Sequence, residues 1–418
     1  MNGNKRVLVI GSGGRCHAIV DALSRSPQVG KIYCAPGNAG IAVQAECVAI
    51  GVESVAELVN FAKQENIDLT VVGPEAALAA GVVNAFKENG LRAFGPTKEA
   101  AQIESSKEFA KRLMAKYAIP TAGYEAFSDY EQAWAYVKAR PLPAVIKYDG
   151  LAAGKGVVVA ESYEEADAAL KDMLLGESFG SGRVVVEDFL DGPEFSFMCV
   201  VSGEKVYPLA MAQDHKRAYD GDKGPNTGGM GAYSPVPFVT KEVEEFALEK
   251  IMLPTAKAMV SEGVPFVGVL YGGLILTTEG PKVIEFNARF GDPETEVVLP
   301  RLTSDICALF EAAIDGVDCT TEWSDEALLG VVMASNGYPG AYKKAAVIEG
   351  VDAVESKVYH MGTARKEGKL LTAGGRVLMV VGRGATLAEA KAMAEKGCAT
   401  IECEELFYRK DIGHKVLN

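Results

Sequence analysis

The first hundred residues alternate short apolar runs with helical patterns, and that alternation restricts the fold more than any other feature. Residues 6–10 form a short, mostly apolar run opening on Arg6, residues 11–14 form a glycine turn, and residues 17–24 carry a helical pattern. Residues 31–34, 47–50, 69–72 and 93–94 read as further strands. Ser54, followed three residues on by Glu57, predicts a capping-box start for the helix after it. Alternation of this kind builds a parallel sheet with helices on both faces, and its ligand crevice lies at the carboxyl ends of the strands. The loops 11–15, 36–40 and 73–77 each follow a strand, so they are predicted around one cleft.

Beyond this unit the pattern changes. A helical stretch over 97–117 ends at Ile119-Pro120. A compact α+β block follows, with strands at 144–147, 156–160 and 183–187 and helix starts at Ser128–Glu131 and Ser162–Glu165. From Glu194 a β-rich region runs to about Glu322 and includes a hairpin of 273–276 with 282–286 across Glu279-Gly280-Pro281. The last ninety-five or so residues are mixed α and β, with Thr386 to Glu389 capping a helix and no motif that carries chemistry. At 418 residues the chain is expected to hold roughly two to four domains.

Charge and cysteine usage narrow the partners. Lys+Arg 42 against Asp+Glu 56 gives a net charge of −14, which argues against nucleic acid and anionic membrane surfaces. Any phosphate must be held by local clusters of Lys, Arg, backbone N–H or metal. The eight cysteines are scattered with no C-x-x-C, as expected of reduced thiols rather than a disulfide frame. The N-terminus enters a strand without a long apolar leader, and no run approaches ~18 apolar residues, so a cytoplasmic protein is expected.

Several segments carry chemistry. Gly11-Ser-Gly13-Gly14-Arg15 offers backbone N–H groups at a helix N-terminus; alone it reads equally as a phosphate cradle or a tight turn. A dinucleotide fingerprint is excluded, because its third glycine would fall at Cys16 and no acid ends the second strand. Lys147 stands at a strand end before Gly150, Gly154, Lys155 and Gly156, a loop able to close over polyphosphate; its spacing does not match a Walker loop. Glu187, Asp188 and Leu190 follow an apolar run whose main chain could hold a purine, with Glu194 on ribose hydroxyls. Glu285, Asn287 and Arg289 alternate on a strand, with Ile284 and Phe286 facing the core. Two oxygen ligands two residues apart beside a guanidinium suit a Mg²⁺–phosphate site. Residues 213–217, which include Asp214 and Lys216, precede a long glycine-rich stretch over 224–235, and long irregular loops in compact chains are usually functional.

As a set these segments resemble the glycinamide ribonucleotide synthetase family of the ATP-grasp superfamily. The resemblance spans nearly the whole chain, from the turn at 11–15 through Pro36–Gly40, Gly73-Pro74-Glu75, Gly95–Thr97 and 147–156. It continues through 213–217, 224–235 and 285–294 to Tyr408-Arg-Lys-Asp-Ile-Gly413. It implies an α/β and α+β multidomain fold: a parallel-sheet N-terminal domain (1–101), an ATP-grasp core (102–120 and 190–323), a mobile lid (121–189) and a mixed C-terminal domain (324–418). It also implies ligation of glycine to 5-phosphoribosylamine with ATP and Mg²⁺ or Mn²⁺, through glycyl phosphate, in a cytoplasmic enzyme expected to be a monomer.

On that resemblance Glu285 and Asn287 hold the metal, and Arg289, Asp214 and Lys216 are catalytic. The nucleotide falls to Lys107, Lys147, Gly154, Lys155, Gly156, Glu187, Asp188, Leu190 and Glu194. Substrate falls to Gly11, Gly13, Gly14, Arg15, Gly37, Asn38, Gly73, Pro74, Glu75, Asn226, Gly228, Gly229 and Asp292. The chain departs from the family at Cys16, where Glu is usual; near a helix N-terminus the thiol reads either as activated or as a small filler. Two alternatives stand beside the ligase reading: another ATP-grasp carboxylate–amine ligase with the same nucleotide site and a different acceptor, and, from a different class, a nucleotide-binding or regulatory module without ligase activity.

Overall fold

The computed structural model describes residues 3–150, 156–176 and 182–417. Strands β1 (Lys5–Gly11), β2 (Val29–Pro36), β3 (Glu46–Cys47), β4 (Leu69–Val72) and β5 (Ala93–Phe94) form a parallel sheet in the order β3-β2-β1-β4-β5. Its central strand buries Val7, Leu8, Val9 and Ile10 completely, as a sheet covered on both faces demands. The order reverses at β1, so the turn into helix α1 (Gly14–Ser24) lies at the switch point where the crevice opens.

A second block holds strands Tyr124–Phe127, Ala144–Tyr148, Val157–Ala160 and Val184–Asp188 in an antiparallel sheet, with the fourth strand between the first two. Helices Tyr130–Lys138 and Tyr163–Leu175 complete it, and Ala133, Ile146, Leu170 and Val186 form a core of its own. The central sheet runs Lys205–Pro208, Glu194–Ser202, Val267–Thr277, Gly280–Asn287. A third large sheet joins Gln213–Asp214 and Gly231–Ser234 to Ala327–Ser335, Arg376–Gly384 and Lys357–His360, so the last part of the chain is hydrogen-bonded to the middle.

Several local expectations shift. Only Glu46–Cys47 pairs where a strand over 47–50 is expected, because the chain leaves the sheet edge after two residues. The stretch 97–117 divides into Gln102–Ser105 and Lys107–Lys116, since the Ser106 hydroxyl accepts the Phe109 N–H and starts a new helix. Asp129, not Ser128, caps the helix Tyr130–Lys138. Ser54 stands at its N-cap without a side-chain cap bond. The hairpin turn is tighter than expected, because the ladder continues through Leu276 opposite Pro281 and Thr277 opposite Gly280, so Gly280 and Pro281 belong to the strand. A register shift opposite Gly273 and Leu274 leaves Ile284 as a bulge, which reverses the alternation. Val283 therefore joins Phe286 in the core, and Ile284 stays half-buried.

Candidate active site

Two buried lysines converge on one carboxylate. Glu187, near the end of its strand, forms ion pairs with Lys147 at 2.9 Å and Lys111 at 2.8 Å, and all three side chains are buried. Lys147 also donates to the Ile284 carbonyl at 2.8 Å, which ties it to the strand bearing Glu285. Lys111 bonds Thr121 Oγ1 at 2.8 Å; burial and the Lys147 charge, opposed by Glu187, bring its pKa down to about 8. Lys111 lies one turn beyond Lys107 on the same helix, and i,i+4 spacing was the one signal that could have found it. Lys107 reaches the Gly150 carbonyl at 3.4 Å.

The Gly156 carbonyl accepts the Tyr148 N–H. Gly154 and Lys155 lie outside the described residues, as does most of the loop expected to close. Asp188 donates its N–H to the Gly123 carbonyl and its carboxylate accepts from Arg140, while Leu190 is half-buried after the strand. Glu194 accepts Lys216 at 3.1 Å, and that charge holds its carboxyl below the ordinary range.

Glu285 makes no hydrogen bond or ion pair with another described residue, yet burial does not win. Lys107, Lys216, Lys147 and Arg289 outweigh it and hold the carboxyl below its usual pKa. Asn287 Oδ1 accepts Arg289 Nη2 at 3.2 Å. An ionised carboxylate and an amide oxygen ringed by cations are hard donors that fit a divalent ion shared with phosphate oxygens. Arg289 is itself buttressed by Glu104 at 2.9 Å and Glu75 at 3.3 Å. Glu75 also lies 3.6 Å from Arg15; against burial, Arg289 and Arg15 bring its carboxyl down to about 2.

The expected substrate loops do meet around one cleft. Arg15 donates to the Gly73 carbonyl at 3.0 Å, and its N–H reaches Asp292 at 3.2 Å. Pro74 stands at the N-cap position of the short helix Glu75–Ala79. Gly37 has φ +73° and its N–H bonds the Gly11 carbonyl. Asn38 donates to the Ser12 and His360 carbonyls and accepts the N–H groups of Gly40 and Ile41, which uses its whole amide within the protein. Asn38 thus shapes the cleft. A Cβ at Gly13 would stand 3.4 Å from Asp292 Oδ2, and one at Gly14 2.2 Å from Glu296 Oε1.

Cys16 is buried, with its sulfur so close to Gly11 and Gly73 that a Cβ on either would collide with it. Burial pushes its thiol up to about 12, so it is a neutral filler and not an activated nucleophile.

Asp214 and Lys216 sit beside Glu194. Burial, opposed by Lys216, pushes the Asp214 carboxyl up to about 7; Glu194 and then Asp214 raise Lys216. Asn226 is paired with Arg217 in a two-strand ribbon. The Gly228 N–H bonds Tyr338 Oη at 3.0 Å, its carbonyl accepts Arg376 at 2.7 Å, and Gly229 has φ +113°. Arg376 also meets Asp292, at 2.8 Å through both the carbonyl and Oδ1. Arg376, Tyr338 and Glu104 carry no local motif, and sequence reasoning missed them. Glu294 was inside a recognised segment but unassigned; it accepts Ser196 and Tyr271 at 2.9 Å.

Comparison with known proteins bears on the whole chain. Residues 5–104 match the N domain model of phosphoribosylglycinamide synthetase, 105–295 its ATP-grasp (A) domain and 328–415 its C domain. A phosphoribosylamine–glycine ligase of Halalkalibacterium halodurans is 53% identical over 415 residues, covering 98% of this chain and 97% of that one. One from Neisseria meningitidis serogroup A is 52% identical over 421 residues, covering 99% and 100%. The crystal structure of the Thermotoga maritima phosphoribosylamine–glycine ligase superposes with a TM-score of 0.86 at 35% identity, over 97% of this chain and 100% of that one. The biotin carboxylase domain of Hydrogenobacter thermophilus 2-oxoglutarate carboxylase, at 16% identity and TM-score 0.73 over 97% and 91% of the two chains, shares the fold. With its cleft, its lysine-bearing block and its C-terminal sheet all accounted for, the chain belongs to the phosphoribosylglycinamide synthetase family.

Proposed function

We propose that this chain joins glycine to 5-phosphoribosylamine, cleaving ATP to ADP and phosphate and yielding glycinamide ribonucleotide for purine synthesis. A glycine carboxylate oxygen attacks the γ-phosphorus and ADP leaves, giving glycyl phosphate. The amine nitrogen then bonds the acyl carbon, phosphate departs and the amine loses a proton. Phosphoryl transfer asks chiefly for positioning and charge neutralisation. Lys147 and Lys107 meet the nucleotide phosphates, and Arg289, braced by Glu75 and Glu104, faces the transferred group. Glu285 and Asn287 hold the divalent ion that the family uses, which supplies charge neutralisation when bound; Mg²⁺, or Mn²⁺ in its place, suits their oxygen donors.

Lys216 and Glu194 order the ribose and glycine side, while Arg15 and the glycine loops hold phosphoribosylamine. Asp214, with a pKa of about 7, is poised to take up the amine's proton near neutrality. The reading extends to a monomer acting in the cytoplasm and to domains at 1–101, 102–120 with 190–323, 121–189 and 324–418. Among the described residues no helix is long and apolar enough to cross a membrane.

The observation that carries this reading is Glu285, ionised among four cations without a protein partner among the described residues. The test is release of ADP and phosphate from ATP, Mg²⁺ and glycine, with and without phosphoribosylamine made in situ. Release that needs both substrates and yields the glycine–ribotide amide is expected. Turnover with only another amine or acid would overturn the acceptor assignment.

A further inference from the structure

The last motif of the sequence, 408–413, has no part in the chemistry above, yet it lies directly behind the loop that bears Asp214 and Lys216. Strand Leu406–Tyr408 pairs with Ala327–Ser335, and the chain then passes beneath residues 215–231. Arg409 is 1% exposed. Its Nε and Nη2 grip the two oxygens of Asp411 at 2.8 Å each, and its Nη1 donates to the Arg217 carbonyl at 2.9 Å and Asp222 at 3.0 Å. Asp411 in turn accepts the Gly221 N–H at 2.8 Å, and the Lys410 N–H reaches Asp220 at 2.9 Å. The Gly413 N–H donates to His215 Nε2 at 3.1 Å. That bond places the His215 proton on Nδ1, and burial, with Lys415 next, keeps the ring neutral.

Both neighbours of Lys216 are thereby tied to the C-terminal segment. The Lys216 carbonyl accepts the Thr227 N–H at 2.7 Å, which extends the hold to the glycine stretch. A buried, fully paired arginine adds little net stability over apolar packing. Its planar fork does fix direction, and small displacements of a group that orients substrate are expensive in rate.

We propose that Arg409 is a positioning residue for the ligase reaction: with Asp411 and Gly413 it sets the loop from which Lys216 and Asp214 act. The proposal rests on the reading of Lys216 as a substrate-side group. The test is a double-mutant cycle on the full chain, with kcat and KM for glycine, ATP and phosphoribosylamine measured beside the melting temperature. Arg409→Lys keeps the charge and loses the fork.

Its kcat/KM for glycine should fall ~10-fold while the melting temperature stays within a few degrees. In a Lys216→Met background, which is itself impaired, the same change should cost clearly less than in the parent, because only the path through Asp214 remains. Additive losses in the double variant, or unaltered kinetics in Arg409→Lys, would overturn the proposal. If Arg409→Lys does not fold, Asp411→Asn, which loosens the same fork, takes its place in the cycle. Full activity of Lys216→Met would remove the underlying reading, and the proposal with it.

Discussion

Glu285 and Glu296 stand among charged neighbours, and the protein treats them in opposite ways. Glu285 faces Lys107, Lys147, Lys216 and Arg289, which hold its carboxyl below the usual pKa, as the proposed metal role requires. Glu285→Ala should lower turnover by at least ~100-fold at saturating Mg²⁺ while the circular dichroism and melting curve stay close to the parent's. Near-parental turnover would sink the metal assignment. Glu296 is wholly buried, neither carboxyl oxygen finds a hydrogen-bond partner among the described residues, and Asp292 adds to burial in raising its pKa well above the usual value.

The sign of the pH effect follows from that direction. Unfolded, Glu296 ionises near pH ~4.3, whereas the folded state keeps the proton well above that. Between these limits the folded state binds more protons, so this group's contribution to stability is lost as pH rises, by up to about 1.4 kcal/mol per unit. Glu296→Gln removes the titration. Urea midpoints should therefore diverge in the variant's favour from about pH 5 to about pH 7, and parallel pH curves would show that Glu296 ionises normally in the fold.

Elements differ in how far local sequence determines them. Thr386 completes a capping box: its hydroxyl accepts the Glu389 N–H, and Glu389 reaches back to the Thr386 N–H. Ser54 carries the same signature but makes no side-chain cap bond. Thr386→Ala should cost ~1 kcal/mol, read as faster amide exchange over helix Leu387–Thr400, whereas Ser54→Ala should change exchange in Val55–Gln64 by a few tenths. Equal effects would mean that sequence alone decides the cap. The same contrast runs through the fold. Residues 69–72 and 93–94 were legible to the residue because their apolar runs are bounded by turns. The break at Ser106 and the bulge at Ile284 were not, since each depends on one hydrogen bond or on cross-strand register. Sequence periodicity reports which face is apolar; it does not report where a partner strand slips.

Across the whole molecule, a chain of net charge −14 gathers Arg15, Lys107, Lys147, Lys216, Arg289 and Arg376 around the candidate site. Local concentration, not overall charge, lets such a chain hold phosphates. The glycine loops and the 285–294 segment were readable because each gathers several polar or glycine positions in a short span. Arg376, Tyr338 and Glu104 were invisible because only tertiary contacts bring them in. Arg376 shows what that contact does.

It comes from a C-terminal strand, bonds the carbonyls of Gly228 and Asp292, and pairs with an Asp292 carboxylate that also accepts the N–H of Arg15 at the start of α1. One guanidinium thus joins three remote parts of the chain. Removing it leaves Asp292 charged and buried, at a cost of ~3–5 kcal/mol for Arg376→Leu. Asp292→Asn keeps an oxygen for Arg15 but drops the charge, so in the double variant the stranded carboxylate is gone. Its loss in unfolding free energy should fall short of the sum of the singles by ~1–3 kcal/mol. Strict additivity would mean that Arg376 holds the Gly228 carbonyl alone and that Asp292 answers to Arg15.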